Sequence, residues 1–383
     1  HLSIRRQRQM CIRDSLRTTR IATAILVLPF TDAVLAANWQ STVVVPTSVE
    51  YDSNPLLLTS GEKGITRTII APDYTLIGTF DRDELRLGLG MHVLRSSDTD
   101  IVDDREDPDI SLGWQRTTER GRFGLVGRYN ESSTLSGTVL DTGVITTDGT
   151  QKLYTLTGNW SQAVTERSTL SNETTYSRAR YDISTLTGYD ELANVFTWTY
   201  AWSERADLYT RFGARRYEPE QDLTATASNS YTPAVGIKYQ LAEGLSADAH
   251  VGVNQVSGDD GGRRGEGGVA LLYTGPRADA SFTAERSTVA SAEGGFAELD
   301  QVRGVWSYAL TELSRVGADA AWQDSKGQSP NTLQTYSVWA SRQFSPYWDL
   351  RLSLMYKERQ QDHVPDATAT IVGLTLTYRY PDI

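Results

Sequence analysis

The sequence is poor in the residues that build most catalytic and metal sites. It has one cysteine, four histidines and three methionines in 383 residues. The cysteine, Cys11, precedes the first apolar run, so the rest of the chain has no thiol for a disulfide, a lipid anchor or a cysteine-containing metal site. Beyond that run, His92, His250 and His363 lie at no metal-ligand spacing and beside no recognisable nucleophile motif. We therefore expect no enzyme activity, no cofactor and no bound metal.

Long hydrophobic segments are also missing. No stretch is apolar for the ~20 residues that a membrane-spanning helix needs. The one apolar run, IATAILVLPF at 21–30, follows several arginines and leads into TDAVLA, which is the three-part plan of a secretory signal peptide. We predict cleavage after Ala36 or Ala37, with an uncleaved anchor as the alternative. Residues 1–36 are then a non-native leader plus signal peptide, and residues 37–383 form one exported domain.

Positive charge is scarce as well. Lysine and arginine number 37 against 48 acidic residues, which gives a net charge of -11. Residues 1–36 hold six of the arginines and only two acids, so the exported part is more acidic still. Binding to nucleic acid calls for a basic patch, and nucleic acid is therefore not expected as a partner.

What the sequence does have is a regular alternation of apolar or aromatic residues with small or polar ones. In NVFTWTYAW, Phe196, Trp198, Tyr200 and Trp202 fall on every second residue, and in a strand such residues share one face. The same pattern of an apolar face and a wet face recurs from Trp39 onward in eighteen segments of roughly ten to fourteen residues. Pro46, Pro72 and Pro233 lie inside these segments and require bulges or local breaks.

The connections between the segments alternate in length. The short ones are 79–83, 118–121, 163–166, 203–206, 241–244, 275–276, 310–312 and 345–346. The long ones are 52–64, 96–107, 134–149, 182–189, 218–229, 257–264, 289–297, 325–330 and 359–367. An even number of strands with short turns on one rim and long loops on the other is typical of outer-membrane barrels. We predict an all-β fold, a transmembrane antiparallel β-barrel of about eighteen strands with short periplasmic turns and long extracellular loops; a soluble all-β fold is the alternative.

Aromatic residues near strand ends on the apolar parity fit girdles at the two membrane interfaces. The predicted girdle residues are Trp114, Tyr129, Trp160, Tyr200, Trp202, Tyr239, Trp306, Tyr308, Trp348 and Tyr378. The last segment resembles a C-terminal targeting signal of outer-membrane barrels, in which a glycine precedes alternating apolar residues and an aromatic closes the pattern. The residues concerned are Gly373, Leu374, Leu376, Tyr378 and Tyr380.

The residues on the other face of each predicted strand would then line the lumen, and they include charges of both signs. The predicted lumen-lining residues are Arg86, Arg128, Arg211, Arg215, Lys238, Arg303, Arg315, Arg351, Arg379, Asp109, Asp248 and Asp319. Such charges either set up a transverse field and an ion preference or pair across strands and stiffen the wall. The sequence leaves both readings open, because register around the barrel is not visible in it.

Four of the predicted connections could do more than join strands: two could bind ions or phosphate, and two could plug the lumen. The acidic connection SSDTDIVDDRED at 96–107 is either solvated or in divalent-ion contact with lipopolysaccharide; it has no calcium-loop frame. SGDDGGRRGEGG at 257–268 lacks the lysine and helix of a phosphate loop and is predicted to be flexible. Residues 52–64 and 134–149 are the candidate plugs of the lumen.

The segment VEYDSNPLLL at 49–58 resembles the opening of the second beta-barrel porin family of Gram-negative outer membranes. It is also similar to barrels found beside exopolysaccharide and exosortase systems. The resemblance implies a channel for passive diffusion of small hydrophilic solutes. The alternatives are an accessory barrel of exopolysaccharide export and a structural surface barrel. Expected partners are outer-membrane lipid and lipopolysaccharide, the barrel-assembly machinery, and small solutes or a polysaccharide.

Overall fold

A computed structural model describes residues 38–137, 146–220, 226–258 and 261–380. The predicted leader and signal peptide, including Cys11, and parts of the connections 134–149 and 257–268 lie outside these residues. Among the described residues, no helix is long and apolar enough to cross a membrane.

The described chain is almost entirely β-strand, as the alternation predicts. Its only helix is the four-residue α1, Thr134–Gly137. The first ten strands are β1 Asn38–Asp52, β2 Ile65–Ile70, β3 Asp73–Phe80, β4 Asp83–Ser96, β5 Arg105–Thr117, β6 Gly121–Ser133, β7 Thr150–Ala163, β8 Ser168–Tyr181, β9 Tyr189–Ser203 and β10 Ala206–Pro219. The others are β11 Ser228–Ala242, β12 Leu245–Ser257, β13 Gly262–Thr274, β14 Ala278–Ala290, β15 Phe296–Thr311, β16 Ser314–Lys326, β17 Asn331–Ser345, β18 Trp348–Gln361 and β19 Val364–Tyr380.

The strands form one closed antiparallel barrel. Apart from β2 and β3, each strand pairs with its sequence neighbours, and β1 pairs with β19 over ten residues, from Val43 opposite Tyr380 to Asp52 opposite Ile371. Both β2 and β3 lie between β1 and β4, so together they make one wall strand. The wall therefore has eighteen strands, and the predicted barrel is confirmed.

Proline explains why one wall strand is split in two. Pro72 has no N–H to donate, and it lies in the two-residue break between β2 and β3, beside Pro46 of β1. The neighbouring donors are still satisfied, because Ala71 N donates to Pro46 O at 3.0 Å and Met91 N donates to Pro72 O at 3.1 Å. At Pro233 the β11–β12 pairing skips from Tyr231 to Ala234. The breaks predicted at Pro72 and Pro233 are thus present, whereas β1 continues through Pro46 and stays paired with β19 there.

The connections predicted as long at 257–264 and 325–330 have only four residues each between their strands, and the largest difference from the prediction is at the last hairpin. The connection expected as a long loop at 359–367 is a two-residue turn, Asp362–His363, between β18 and β19. His363 adopts a left-handed φ of 62°, which a tight turn needs and histidine tolerates better than most residues. The polar composition of 359–367 suggested a loop, but backbone pairing carries both strands to the turn, with Gln361 opposite Val364. This prediction was wrong.

The two faces of the wall are distinguished by contacts between strands that are not neighbours. Arg215 of β10 bonds to the Thr288 carbonyl of β14, four strands along the wall, and such a contact has to pass through the interior. The parity that contains Arg215 is therefore the inner face. The register then places Phe196, Trp198 and Tyr200 of β9 on the outer face.

Buried side chains are concentrated at the long-loop end of the barrel, where segments fold onto the inner face. The largest cluster surrounds Tyr217 and Phe296. A second places Leu57 against Ala367 and Ala369. A third joins Ile65, Leu94 and Val102, with Leu135 of α1 packed against it.

Candidate functional site

The predicted girdle residues share the outer face. On neighbouring strands, Trp306 lies directly opposite Ala280, Tyr129 opposite Tyr154 and Trp348 opposite Tyr378, and residues opposite each other share a face. Most of the predicted set lies near the short-turn rim, and Tyr129 lies near the other. Further tyrosines missed by the prediction mark that second rim on the same face: Tyr154, Tyr176, Tyr231, Tyr336 and Tyr356.

Between the two aromatic rims the outer face is apolar and exposed. Leu112, Val251 and Leu352 are 60%, 64% and 56% exposed, which is far more than a water-soluble protein tolerates over a continuous surface. An apolar band flanked by aromatic rims is the surface that a barrel presents to lipid. The C-terminal pattern lies in this band, with Leu374, Leu376 and Tyr378 pointing outward and Gly373 on the inner face.

Every residue predicted to line the lumen lies on the inner face in the register. Six of the predicted cations have an acidic neighbour on that face. Arg303 donates from Nε and Nη2 to Asp319 at 3.0 and 2.7 Å, and Arg128 makes the equivalent fork with Asp109. Arg215 donates to Glu191 at 2.6 Å. The remaining three contacts are looser: Lys238–Asp248 at 4.0 Å, Arg86–Glu84 at 3.8 Å and Arg315–Asp279 at 3.8 Å.

Three predicted cations lie outside this pattern. Within the described residues, no carboxylate lies within 4.0 Å of the guanidinium of Arg211, Arg351 or Arg379. Arg351 instead lies over the indole ring of Trp339, with its Cζ 4.1 Å from the ring centroid. Cross-strand pairing and unneutralised wall charge are therefore both present on the inner face.

The inner face is also uneven around its circumference. Basic residues dominate on β16–β19, whereas β7–β9 carry no lysine or arginine on this face. Glu173 of β8 and Glu191 of β9 face inward there, half the circumference away from β17 and β18. The basic side chains of β16–β19 on the inner face are Arg315, Arg351, Lys357, Arg359 and Arg379.

A hairpin at the end of β14 and β15 folds into the barrel. The pairing of β13 with β14 stops at Arg286, so residues 287–297 leave the wall. Arg215 bonds to Thr288 O and its guanidinium lies 5.3 Å from the Phe296 ring centroid. Tyr217 packs 5.9 Å from the same ring and donates to Ser291 O at 3.3 Å.

Two more contacts fix this inward hairpin. Thr187 N, from the β8–β9 connection, donates to Ala292 O at 2.6 Å, and Glu266 of β13 accepts from Thr288 N at 3.0 Å. Sequence reasoning missed the hairpin and named 52–64 and 134–149 instead. The available signal was the pair Gly294 and Gly295, both at positive φ, which permits a sharp turn but does not say which way it folds.

The predicted plug at 52–64 does reach the inner face in its first half. Asn54 is 1% exposed and donates from Nδ2 to Leu58 O at 2.8 Å and to Thr368 O at 3.0 Å. Ser53 N donates to Thr370 O at 3.0 Å, which ties the segment to β19 beyond the end of β1. Asn54 thereby holds Leu57 against the two alanines of β19. The polar turn residues of YDSN build this anchor.

The described part of 134–149 packs at the same end of the barrel. Leu135 contacts the third buried cluster, and Arg105 of β5 donates to Gly149 O at 2.9 Å. Arg105 also lies 3.0 Å from Asp107 and 3.6 Å from Asp148. Three connections therefore narrow the long-loop end from different sides.

The acidic connection 96–107 is partly neutralised by three cations of the chain itself, Lys63, Arg95 and Arg105. Lys63 bonds to Asp98, and this contact raises the pKa of Lys63 and holds the pKa of Asp98 below its ordinary value. Arg95 bonds to Glu106, and Ser96 N donates to Asp104 at 2.8 Å. The described residues contain no group of three or more His, Cys, Asp or Glu side chains arranged to hold a metal ion. The divalent-ion contact with lipopolysaccharide stays a prediction.

The histidines are placed away from the lipid-facing surface. His92 lies opposite Asp107 and His250 opposite Gly268, both on the inner face, and His363 is in the β18–β19 turn. A lipid-active hydrolase would need its serine–histidine pair on the outer face. This placement offers no such site.

Comparison with known proteins gives only distant likenesses. Among solved structures, the chain is similar to OpdL of Pseudomonas aeruginosa (9% identity, 90% of this chain and 99% of that one, TM-score 0.48). It is similar to OccK7 (OpdD) of the same organism (11%, 90% and 99%, 0.49) and to the outer membrane channel DcaP of Acinetobacter baumannii (12%, 90% and 98%, 0.48). No family model matches the sequence. No curated protein matches it either.

Proposed function

We propose that this chain is a porin-like channel of the Gram-negative outer membrane, through which small hydrophilic solutes diffuse passively. The observation that carries the proposal is the contrast between the two faces of a closed eighteen-strand wall. The outer face is an apolar band, whereas charged side chains on the inner face are open to solvent: those of Arg303, Lys238 and Arg86 are 62%, 61% and 59% exposed. Barrels of sixteen to eighteen strands leave an aqueous channel.

The interior supports a selective path. Solutes would meet the inward hairpin and the segments at 53–58 and 134–137 at the long-loop end, so that end is the narrow one. Beyond it, the basic sector on β16–β19 faces the acidic side of β8 and β9. A field across the lumen orients water and polar solutes, and rings of charge set ion preference.

The resemblance of VEYDSNPLLL to the second beta-barrel porin family agrees with this function. In the cell we expect export by the predicted signal peptide, insertion by the barrel-assembly machinery, and contact with lipopolysaccharide through the long loops. The alternative function, an accessory barrel of an exopolysaccharide export system, has no supporting observation in the described residues. A sugar path would want a track of exposed lumenal aromatics, and on the described inner face Tyr189, Tyr209, Tyr217 and Phe296 are buried while Tyr181 and Trp339 are half-buried.

The test is conductance of the purified, heat-modifiable protein in a planar lipid bilayer. Stable single-channel steps in potassium chloride, with a definite reversal potential under a salt gradient, are expected. Folded and inserted protein that stays electrically silent would contradict the channel and favour polymer export or a structural surface role. Cross-linking to the barrel-assembly machinery in cells checks the partner separately.

A further inference from the structure

Three polar side chains converge on the outer face of β8 and β9. Asn172 and Asn194 exchange hydrogen bonds from Nδ2 to Oδ1 at 3.1 and 3.2 Å. Thr174 accepts from Asn194 Nδ2 at 2.6 Å and donates to Asn172 Oδ1 at 3.2 Å. The register places all three outward, because Asn172 lies opposite Phe196 and Thr174 lies opposite Asn194. We call Asn172, Thr174 and Asn194 the polar triad.

The polar triad lies midway between the two aromatic rims. Residues opposite one another on successive strands form a row from the short-turn rim to the other rim: Trp114, Leu125, Gly158, Thr174, Asn194, Ala214 and Tyr231. On the described outer face, Asn172 and Asn194 are the only asparagine or glutamine residues between the rims. Polar side chains near the bilayer centre are costly and usually have a function.

Small residues flank the polar triad on both sides. Gly158 of β7 lies opposite Thr174, and Ala214 of β10 lies opposite Asn194. A Cβ at Gly158 would meet only the Leu125 side chain, at 3.9 Å, so the surface beside the triad is open. Small residues let the backbones of two membrane segments approach closely. The middle of β7–β10 can therefore receive a second protein wall.

The two sides of this surface differ in charge at the long-loop end. On β7 and β8 the outward charged side chains there are basic and include Lys152 and Arg178, each 47% exposed. On β9 and β10 they include Asp190 and Glu218, and Glu218 is 52% exposed although it pairs with Arg216. The surface thus has a basic side and a mainly acidic side, with the polar triad between them.

Two copies related by a two-fold axis would meet with these sides exchanged. In such a contact both copies use the same surface, so β7 and β8 of one copy lie against β9 and β10 of the other. The basic side then meets the acidic side, and the amides of the two triads can exchange hydrogen bonds. Lipid chains offer amides no such partners. We propose that two copies of this chain form a dimer in the membrane through the outer face of β7–β10, with the polar triads at its centre.

The dimer requires only a membrane-inserted barrel, so its test does not depend on conduction. The mass of the full barrel in detergent, measured by analytical ultracentrifugation, should be that of a dimer. Asn172→Leu/Asn194→Leu should weaken dimerisation about tenfold while the barrel still folds, since leucine suits lipid. The matched control is Thr47→Leu, a polar-to-leucine change on the outer face of β1, which should leave the dimer unchanged. A monomeric wild type, a trimer, or equal effects of the two variants would overturn the interface.

Cross-linking in lipid vesicles locates the axis. Thr174→Cys, made in a Cys11→Ser background so that it is the only thiol, should link to the same residue of a second copy through a short bis-maleimide. Leu352→Cys is the matched control, because Leu352 is exposed on the outer face about half the circumference away. Equal yields at the two positions would contradict a specific interface.

Charge exchange tests the two-fold arrangement. Lys152→Glu and Glu218→Lys should each weaken dimerisation, because like charges then face each other between copies. The double variant should recover most of the loss. Within one copy β7 and β10 are not neighbouring strands, so recovery reports a contact between copies. A double variant as weak as the single ones would contradict the exchange of sides.

Discussion

Charged residues on the inner face form two groups: those that pair with an opposite charge on a neighbouring strand and those that do not. Arg303 and Asp319 neutralise each other across neighbouring strands, and such exposed pairs contribute about 0–1 kcal/mol to folding. Arg351 is instead stacked on Trp339, with Asp349 as the nearby charge on the same strand and face. The sequence placed all three residues on the correct parity, but it could not say which charges are paired, because pairing depends on register.

The first prediction concerns the Arg303–Asp319 pair. Arg303→Gln leaves an uncompensated carboxylate on the wall, so the channel should become more cation-preferring, and Asp319→Asn should shift preference the other way. Neither change should alter the free energy of unfolding by more than about 1 kcal/mol, since the arginine is well exposed. Reversal potentials under a potassium chloride gradient measure the shift. Two shifts of the same sign would contradict the placement of both charges on the lumenal wall.

At the scale of elements, the main device is the inward hairpin 287–297. The hairpin is made by the ends of β14 and β15. The pairing of β13 with β14 stops at Arg286, so the hairpin is not held in the wall and makes its contacts inside the barrel. Arg215 holds it through hydrogen bonding to a carbonyl and through the Phe296 ring. Alternation predicts strands from local spacing, and these cross-barrel contacts join residues more than seventy positions apart.

Arg215→Ala should therefore release the hairpin. The charge-assisted bonds it removes are typically worth about 1.5–3 kcal/mol, so the hairpin should sample positions away from the inner face and single-channel conductance should rise. Its neighbour provides the matched control: Arg216 points outward on the same strand and pairs with Glu218. Arg216→Ala should leave conductance unchanged. Equal conductance in wild type and Arg215→Ala would show that the hairpin does not constrict the path.

For the whole molecule, the decisive property is that one wall separates two solvents. Val269 of β13 is 46% exposed on the outer apolar band, and the next residue, Ala270, faces inward beside Asp248. Neighbours in sequence thus sit in opposite environments. A soluble all-β protein would instead bury one of its two faces in a core.

This contrast predicts opposite outcomes for one substitution at adjacent positions. Val269→Arg places a charge in lipid and should cost about 2–4 kcal/mol if it lies at the bilayer midplane. Ala270→Arg gains a carboxylate neighbour and a wet lumen and should cost little. Urea unfolding in lipid vesicles measures both. Similar destabilisation by the two variants would contradict the assignment of faces.

The sequence by itself determined the β-barrel, its eighteen wall strands, the faces and the proline break, because a period of two and the turn residues are local properties of the chain. It misjudged the turn at Asp362–His363, where backbone pairing overrode a polar composition. Only the tertiary structure decided that residues 287–297 fold inward, that Arg303 is paired and Arg351 is stacked on Trp339, and that Asn54 ties its segment to β19. Each of these depends on which strands meet across the barrel or along its seam, and barrel closure fixes that through hydrogen bonds between distant residues.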